Sequence, residues 1–337
     1  MSAIKTAIVI LNWNGEKFLT QFLPSVIQYS PNYAKVYVAD NASTDGSLTY
    51  LQSLGDSVKI IQLDQNYGFT GGYNKALSQI EAEYYVLLNS DVEVTSNWLE
   101  PIVSYLDTHN DVGICQPKIK SYYQPAQFEY AGASGGYIDW MGYPFCRGRL
   151  FNSLEEDTGQ YNNAQEVFWA TGACMFIRAK LYHQLGGLDE NFFAHMEEID
   201  LCWRAQLLGQ KVMVVPSSEV FHVGGGTLPK NNPRKTYYNF RNNLMMMYKN
   251  LPASKVVVVI LIRLFLDGVA GFKFLLEGDF KDTFAVVKAH FAFYRCLITG
   301  RIKRTKGGFN WPTSVYQRSI LWNYFVKGVR KYNQLIN

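Results

Sequence analysis

The chain has 337 residues, of which 48% are hydrophobic and 18% charged, so it is long enough for one large core and has no tract of disordered composition. A net charge of +4 is too small to indicate a nucleic-acid partner. Five scattered cysteines without a CxxC pair indicate neither a disulfide framework nor a zinc site, and they suit a reducing cytoplasm. The apolar run at residues 7–11 is too short for a signal-peptide core, so we expect no export of the N-terminus.

Strands and helices alternate along the first part of the chain. Residues 6–11 predict a buried strand, which is followed by the polar stretch Asn12-Trp13-Asn14-Gly15 and an amphipathic helix. Residues 36–40 repeat this plan and end in Asp40, residues 58–63 predict a third strand, and residues 71–80 predict the helix after it. Such alternation predicts a parallel sheet with right-handed crossovers.

The fourth predicted strand is an unbroken apolar run that ends in a carboxylate. Residues 84–88 lack polar alternation, as in a central strand covered on both faces, and Asn89-Ser90-Asp91 follow them. Ligands of open α/β sheets bind beyond the carboxyl ends of such strands. Asn89 and Asp91 can face one hard cation and leave coordination positions for phosphates, although an Asx turn with Ser96 as a helix cap explains the same residues.

A glycine-rich segment precedes the third helix. Residues 66–74 contain three glycines, which allow the backbone to approach a bulky anion at a helix N-terminus. The segment is not a Walker loop, and the first strand is not followed by GxGxxG, which argues against NAD.

The next segments are less regular. Residues 112–117 continue the sheet, whereas residues 122–163 are aromatic and glycine-rich without a clear period, which suggests an inserted, flexible lid. Residues 166–177 form an apolar run interrupted by Thr171-Gly172-Ala173, where small side chains let a ligand lie close to the backbone; the alternative is a core strand.

A helix over residues 195–204 begins with three carboxylates, Glu197, Glu198 and Asp200. Acidic residues there complement the helix dipole. Aromatic and histidine neighbours would also desolvate one carboxylate and raise its pKa toward neutrality, so Glu197 or Glu198 is a candidate general base. His222 follows a strand at 212–221; alone it is more often structural, but with Asn89 and Asp91 it completes a set of ligands suited to Mn²⁺ or Mg²⁺.

Beyond residue 234 the chain becomes helical. Residues 256–276 have the length of a membrane span but carry Arg263, Asp267 and Lys273, so the free energy of insertion is near balance. These charges share one arc of a helical wheel, which favours a helix lying in the membrane interface. A basic patch follows, consisting of Arg295, Arg301, Lys303, Arg304 and Lys306. The alternative is a helical subdomain or dimer face.

With these motifs the chain resembles the inverting glycosyltransferases of family 2, in particular the bacterial rhamnosyltransferase-like branch, over about residues 6–243. The resemblance implies a GT-A fold, that is, an α/β mixed sheet flanked by helices. It places a catalytic domain at 1–235, with a nucleotide-sugar half at about 1–118 and an acceptor half at about 119–235. Residues 236–337 would be a helical region at the membrane surface.

The resemblance also assigns site residues. The donor nucleotide sugar is expected at Asn12, Asn14, Asp40, Asn66, Gly68, Asn74 and Asn89. Asn89-Ser90-Asp91 matches the DxD motif that binds the diphosphate through a divalent metal, Mg²⁺ or Mn²⁺, and the H-V-G-G segment at 222–225 makes His222 a second metal ligand. Glu197-Glu198-Ile199-Asp200-Leu201 matches E-D-x-D-L, which makes Glu198 the base. The acceptor is expected at Trp169, Thr171, Gly172, Glu197 and Asp200. Asn89 and Glu198 depart from the acid and the Asp usual at their positions.

The implied reaction is a single displacement that moves rhamnose or another hexose to a glycan or lipid-linked glycan, on the cytoplasmic face of the inner membrane. Two rival interpretations are a catalytically weak membrane-surface protein with a nucleotide-binding fold, and a sugar nucleotidyltransferase. The latter would need a glycine-rich motif with Arg and Lys where this chain has Asn12-Trp13-Asn14-Gly15. A homodimer through the C-terminal helices is the alternative to membrane binding.

Overall fold

A computed structural model describes residues 4–224, 232–305 and 311–336. The strands are β1 (Ile4–Asn12), β2 (Ala34–Asp40), β3 (Lys59–Gln62), β4 (Ala82–Asn89), β5 (Val92–Val94), β6 (Val112–Ser121), β7 (Gly136–Ile138), β8 (Pro144–Cys146), β9 (Arg149–Leu150), β10 (Ser153–Leu154), β11 (Gln165–Glu166), β12 (Cys174–Arg178) and β13 (Lys211–His222). The helices are α1 (Glu16–Gln28), α2 (Ser47–Ser53), α3 (Gly68–Leu77), α4 (Glu100–Thr108), α5 (Ala179–Gln184), α6 (Glu197–Leu207), α7 (Pro233–Asn250), α8 (Ala253–Leu276), α9 (Phe280–Ile298) and α10 (Asn333–Ile336). A 3₁₀ turn at Gly55–Ser57 and a π-helical turn at Trp322–Val326 complete the described elements.

The main sheet has the strand order β11-β13-β6-β12-β4-β1-β2-β3, with β5 paired to β13. The predicted parallel pairing is confirmed for β1 with β2 and β4, and for β2 with β3. β12 runs antiparallel between β4 and β6, so the complete sheet is mixed. This is the arrangement that the GT-A resemblance implied.

Both faces of the sheet are covered, which explains why its central strands lack polar alternation. Ile8 and Ile10 of β1 face one apolar cluster, together with Leu19 and Leu23 of α1. Ala7 and Val9 face the opposite cluster, which continues into the C-terminal helices. The residues of β1 in these clusters are at most 2% exposed.

The segment at 122–163 belongs to the core and is not a flexible lid, so that prediction is wrong. Its strands form a second, four-stranded sheet in the order β10-β9-β8-β7, and Phe128, Ile138 and Phe145 within it are buried. The chain returns to it near the C-terminus, where Tyr316 N donates to Ile138 O at 2.9 Å. The aromatic content of this segment is therefore used largely in packing.

The C-terminal helices pack on one another and on the catalytic part. The first turns of α7 and α9 line one groove, and Tyr248 and Phe293 meet near their other ends, so the two helices run in the same direction. Within the described residues, no helix combines the length and hydropathy of a bilayer-spanning segment. The predicted domain boundary at 235/236 falls in the first turn of α7 and stays a prediction.

Helix α8 has two of its three predicted charges on the inside. Arg263 and Asp267 are buried against the protein and form an ion pair of 3.3 Å, whereas Lys273 is exposed and pairs with Glu277. The outward face carries apolar side chains, namely Val257, Val258, Leu261, Phe265, Val269, Phe272, Leu275 and Leu276. Two of the three predicted charges thus face the protein, opposite the exposed apolar side.

Candidate active site

Polar residues that end neighbouring strands meet at one edge of the sheet. Asn12 of β1 is in register with Asp40 of β2, and Leu11 is in register with Asn89 of β4. Asn12 Nδ2 donates to Asp40 Oδ1 at 3.1 Å and to Ser43 Oγ at 3.1 Å, while Ser43 N donates to Asp40 Oδ2 at 3.0 Å. These contacts fix Asp40 at the mouth of the sheet, as strand-end placement predicted.

The loop after β1 leaves one polar atom without a partner. Asn12 Oδ1 is buried and has no hydrogen-bond partner among the described residues. A Cβ at Gly15 would lie 2.4 Å from this oxygen, so only glycine fits there. Asn14, with a φ of 50°, joins this loop to the next, since its Oδ1 accepts from Thr44 N at 2.7 Å.

The glycine-rich segment is held by an asparagine that the sequence analysis did not single out. Asn41 is buried, its Nδ2 donates to Asn66 Oδ1 at 3.0 Å, and its Oδ1 accepts from Tyr67 N at 2.9 Å. Asn66 Oδ1 also accepts from Gly68 N at 2.8 Å. The only signal for Asn41 was its place directly after Asp40, in a run that resembles helix caps.

Gly68 begins α3 in a left-handed conformation, with a φ of 69°. A Cβ there would lie 2.7 Å from the ring of Phe193, so a larger residue would strain the backbone and clash with that ring. This contact joins the glycine-rich segment to the loop that precedes α6.

The amide of Asn74 is hydrogen-bonded within the protein, and its contact with the donor stays a prediction. Its Oδ1 accepts from Tyr182 OH at 2.6 Å and from Leu188 N at 3.0 Å. Its Nδ2 donates to Leu188 O at 2.8 Å and Glu190 Oε1 at 3.2 Å. Because all four of its hydrogen-bonding positions are used, Asn74 attaches the segment around Leu188 to α3.

Asp91 and His222 are brought together by strand pairing. β5 pairs antiparallel with β13 so that Val92 lies opposite His222, and His222 Nε2 is 3.1 Å from Asp91 Oδ1. On the other side, His222 Nδ1 is 3.6 Å from Glu129 Oε2. Burial opposes a charge on the imidazole, but Asp91 and Glu129 outweigh it and raise the pKa of His222 to about 10.

Asp91 and His222 could together bind a divalent cation. The described residues contain no group of three or more His, Cys, Asp or Glu side chains arranged to hold a metal ion. Mg²⁺ and similar ions keep several ligands from water or substrate phosphates, so two protein ligands suffice. The 3.1 Å separation of His222 Nε2 and Asp91 Oδ1 is close to that of adjacent ligands on an octahedral ion with bonds of about 2.1 Å. The sequence pattern did not indicate Glu129, because this residue lies in the irregular segment at 122–163. Gly225 of the H-V-G-G match lies outside the described residues.

The loop before α6 has an unusual backbone. Phe193, His195 and Met196 all have φ between 65° and 73°. Asn242 of α7 holds this loop, since its Nδ2 is within hydrogen-bond distance of the carbonyl oxygens of Phe192, Ala194 and His195. Left-handed backbone at non-glycine residues persists only where the surroundings enforce it, and it is concentrated at functional sites.

Glu198 is the carboxylate in α6 best placed to act as a base. It is partly exposed, but its Oε2 is out of contact with solvent and has no hydrogen-bond partner among the described residues. Burial raises the pKa of Glu198 to about 7. The position of a Cβ at Gly172 would be 3.9 Å from Glu198 Cβ, so the predicted Gly172 does lie beside this residue.

Glu197 and His195, the other titratable groups beside Glu198, are both uncharged near pH 7. Glu197 is buried, and burial together with the charge of Glu198 raises its pKa well above the usual range. Burial and the nearby Lys235 lower the pKa of His195 to about 4, so its imidazole is neutral near pH 7. Of these groups, only Glu198 combines access to the surface with a pKa near neutrality.

Two predicted acceptor residues, Asp200 and Trp169, are buried with partners inside the protein, and their acceptor role stays a prediction. Asp200 is fully buried, and its oxygens accept from Arg204 Nε at 2.7 Å, Lys249 Nζ at 2.9 Å and Asn250 Nδ2 at 2.7 Å. Trp169 is also buried, and its Nε1 donates to Tyr137 O at 3.0 Å. Both side chains are almost completely inaccessible to solvent in this structure.

Thr171 shapes the strand end from within. It is buried, and its Oγ1 accepts from Ala173 N at 3.2 Å. Ala173 O in turn accepts from Asn89 N at 2.9 Å. The segment that contains Gly172 therefore connects the DxD-like end of β4 to Glu198.

The fold and this arrangement of strand-end polar groups define a nucleotide-sugar transferase of the GT-A class. Two solved structures share the fold. The S. aureus protein TarS with UDP-GlcNAc matches with a TM-score of 0.58 and 18% identity, over 86% of this chain and 81% of that one. GalNAc-T7 with UDP, GalNAc and Mn²⁺ has a TM-score of 0.58 and 16% identity, over 75% of this chain and 49% of that one.

A model of Glycosyl transferase family 2 matches residues 7–186, more than half of the chain, and the chain belongs to this family. It is a glycosyltransferase, and the family consists of inverting hexosyltransferases. The N-acetylglucosaminyl-diphospho-decaprenol L-rhamnosyltransferase of Mycobacterium tuberculosis is 24% identical over 230 residues, which are 64% of this chain and 75% of the relative. The low-salt glycan biosynthesis hexosyltransferase Agl10 of Haloferax volcanii is 26% identical over 207 residues, 59% of this chain and 61% of the relative. Membership of this family sets aside both rival interpretations.

Proposed function

We propose that the protein transfers rhamnose or another hexose from a nucleoside-diphosphate sugar to a hydroxyl of a lipid-linked glycan, with inversion at the anomeric carbon. The observation that carries this proposal is Glu198, a partly exposed carboxylate with a pKa of about 7 beside Gly172. Through Gly172 and Ala173 it is connected to the strand end that holds Asp91. A base and a diphosphate site at one edge of the sheet are what a direct displacement requires.

The donor side is built from five asparagines and an aspartate. Asp40, fixed by Asn12, would bind the nucleotide, and Asn41 and Asn66 would hold the backbone at Gly68 in position for it. Asn12 Oδ1, buried without a partner, is available to a donor group of the ligand. Asn14 and Asn89 would shape the ends of the two loops that close this side.

Asp91 and His222 would hold a divalent metal, Mg²⁺ or Mn²⁺. When bound, the metal would offset the negative charge that develops on the leaving diphosphate. Metal binding would replace the proton that Asp91 and Glu129 stabilise on His222, so metal affinity should rise with pH. Glu129 remains as the group that orients the imidazole.

Glu198 would accept the proton of the acceptor hydroxyl as that oxygen attacks the anomeric carbon. Its ionised form predominates above a pH of about 7, so it is a base at neutral pH that still has appreciable proton affinity. Glu197, protonated beside it, would add no repulsion to an ionised Glu198. Asp200 anchors the helix through Lys249 and Asn250 and so fixes the position of Glu198.

The acceptor and its location follow from the C-terminal helices and from the M. tuberculosis relative, whose name specifies a diphospho-decaprenol substrate. Exposed apolar side chains cover α8 and continue onto α9 at Phe280, Phe284, Val287 and Phe291. Exposed apolar side chains grouped on neighbouring helices are typical of surfaces that bind a membrane or another protein. We infer that it rests on the cytoplasmic face of the inner membrane; a homodimer through the same helices is the alternative.

The test is nucleotide release from a panel of UDP-, GDP- and dTDP-sugars, with a lipid-linked glycan acceptor and with Mg²⁺ or Mn²⁺. Glu198→Gln keeps the shape of the side chain and should lower turnover by about 10²–10⁴-fold while donor binding survives. In the parent, turnover should rise with pH up to about 7 and then level off, because protonated Glu198 cannot accept a proton.

The matched control is Glu197→Gln, one residue away and already protonated, which should lose far less turnover and keep the pH profile. Near-parental turnover in Glu198→Gln, with Glu197→Gln inactive, would assign the base to Glu197. A parent that releases no nucleotide from any donor of the panel would refute the proposed function.

A further inference from the structure

A basic groove lies between the first turns of α7 and α9, away from the strand-end site. It has a volume of about 500 Å³ and is lined by Pro233, Arg234, Tyr237, Lys281, Phe284, Ala285 and Lys288. Three of these side chains are cations, and none of the three forms a salt bridge with another described residue. The groove therefore carries a local positive charge that the described part of the chain does not neutralise.

The helix directions add to this charge. α7 and α9 run in the same direction, so the N-terminal halves of both helices, where the helix dipole is positive, flank the groove. Two carboxylates near the start of α9 have other roles: Asp279 caps the helix through Asp282 N, and Asp282 is buried against Thr236. The three cations without an ion-pair partner among the described residues are therefore the main attraction for an anion, and the flanking helix dipoles add a smaller contribution.

One end of the groove adjoins the apolar surface and the other adjoins the catalytic loop. Phe284 lines the groove and is exposed, and Phe280, Val287 and Phe291 extend the apolar surface along the same helix. The guanidinium carbon of Arg234 lies 5.8 Å from the ring centre of Phe193, which itself contacts Gly68. A ligand in the groove would have an apolar surface on one side and the loop that contains Phe193 on the other.

We propose that this groove binds the diphosphate of a polyisoprenoid-linked acceptor. Three cations match the two or three negative charges of a polyprenyl diphosphate better than the single charge of a phosphodiester headgroup. The polyisoprenoid chain would lie along the exposed face of α9, and the sugar beyond the diphosphate would extend past Arg234 toward the catalytic loop. This inference rests on the proposed function, since it names the chemical class of the acceptor.

The experiment is calorimetric titration of the full-length protein with farnesyl diphosphate, farnesyl monophosphate and farnesol, each below its micelle concentration. The parent should bind the diphosphate more tightly than the monophosphate, and farnesol least. Lys281→Gln/Lys288→Gln should weaken diphosphate binding by at least about tenfold, the effect of losing one or two charge-assisted contacts. Lys281→Arg/Lys288→Arg should restore it, because the charges return.

The matched control is Arg301→Gln/Lys303→Gln, which removes the same charge from the basic patch outside the groove and should change the affinity by less than about twofold. An equal loss of affinity in this control, or parental affinity in Lys281→Gln/Lys288→Gln, would refute the proposal that the groove binds the diphosphate. Farnesol binding as tightly as the diphosphate would refute it as well. Displacement of the probe by phosphatidylglycerol vesicles, but not by phosphatidylcholine vesicles, would assign the groove to anionic lipid instead.

The two proposals fail in distinguishable ways, because probe binding is measured without sugar transfer. A parent that releases nucleotide normally, but whose groove variant binds the probe like the parent, overturns the groove alone. A parent that releases no nucleotide overturns the proposed function whatever the probe does.

Discussion

The active site and the C-terminal helices both depart from the usual distribution of polar and apolar groups, in opposite ways. In the active site, buried oxygens of Asn12, Glu197 and Glu198 have no partner among the described residues. In the helices, the buried guanidinium of Arg263 has a counter-ion in Asp267 and donates to Met141 O at 2.8 Å, although its Nε has no partner among the described residues. On the outer face, apolar side chains such as Phe265 and Phe272 are the groups without a partner.

The difference indicates what each region binds. A buried polar group without a hydrogen bond costs about 1–3 kcal/mol, a cost that a polar ligand would remove. Burial of an exposed apolar side chain in lipid or against another apolar surface contributes a favourable free energy of about 25 cal/mol per Å² of buried area. The strand ends thus require a polar substrate, and the outer face of α8 requires an apolar environment.

Removing Asp91 should have the largest effect on the binding of the polar substrate at the strand ends. Asp91→Ala should abolish metal-dependent donor binding, because His222 would then be the only protein ligand of the two. Calorimetry with Mn²⁺ and nucleotide measures this loss. Asp56→Ala, which removes a fully exposed carboxylate from the 3₁₀ turn before β3, should bind as the parent does. Parental affinity in Asp91→Ala would mean that the metal is held elsewhere.

Removing Asp267 tests what keeps the charges of α8 inside. Asp267→Ala leaves the guanidinium of Arg263 buried without its counter-ion, so the free energy of unfolding should fall by about 3–5 kcal/mol. Urea denaturation measures the change. The control is Glu277→Ala, which breaks the exposed pair with Lys273 near the end of the same helix and should shift the midpoint little. Equal shifts for the two variants would show that the buried pair does not hold α8.

Much of the catalytic edge could be predicted from local sequence, because its residues end strands. Asp40, Asp91 and His222 each follow an apolar run, and the register of a sheet places such residues at one edge. Glu129 and Asn242 could not be found in this way. Both reach the site through tertiary packing, one from an irregular segment and the other from a helix far along the chain.

Three site residues show what a motif leaves undetermined. Asn74, Trp169 and Asp200 were chosen by residue type and motif position, yet their polar atoms are satisfied by groups as distant in sequence as Leu188, Tyr137 and Asn250. A motif gives the position of a side chain but not its hydrogen-bond partners. The wheel of α8 likewise placed the charges on one arc correctly, but only packing shows that Arg263 and Asp267 on this arc face the protein.

The smallest expected effect concerns the apolar half of the comparison. Phe265 and Phe272 are 71% and 59% exposed, so Phe265→Ser/Phe272→Ser should leave the fold and donor binding intact. Burial of a phenylalanine is worth about 1.5–3 kcal/mol, so partial loss of two should weaken vesicle binding by about tenfold or more. Co-sedimentation with anionic vesicles measures this. Tyr123→Ser, at an aromatic residue that is 73% exposed on the catalytic part, is the matched control and should bind as the parent does. A parent that ignores vesicles and elutes as a dimer, which Phe265→Ser/Phe272→Ser converts to a monomer, would assign this face to a second copy of the chain.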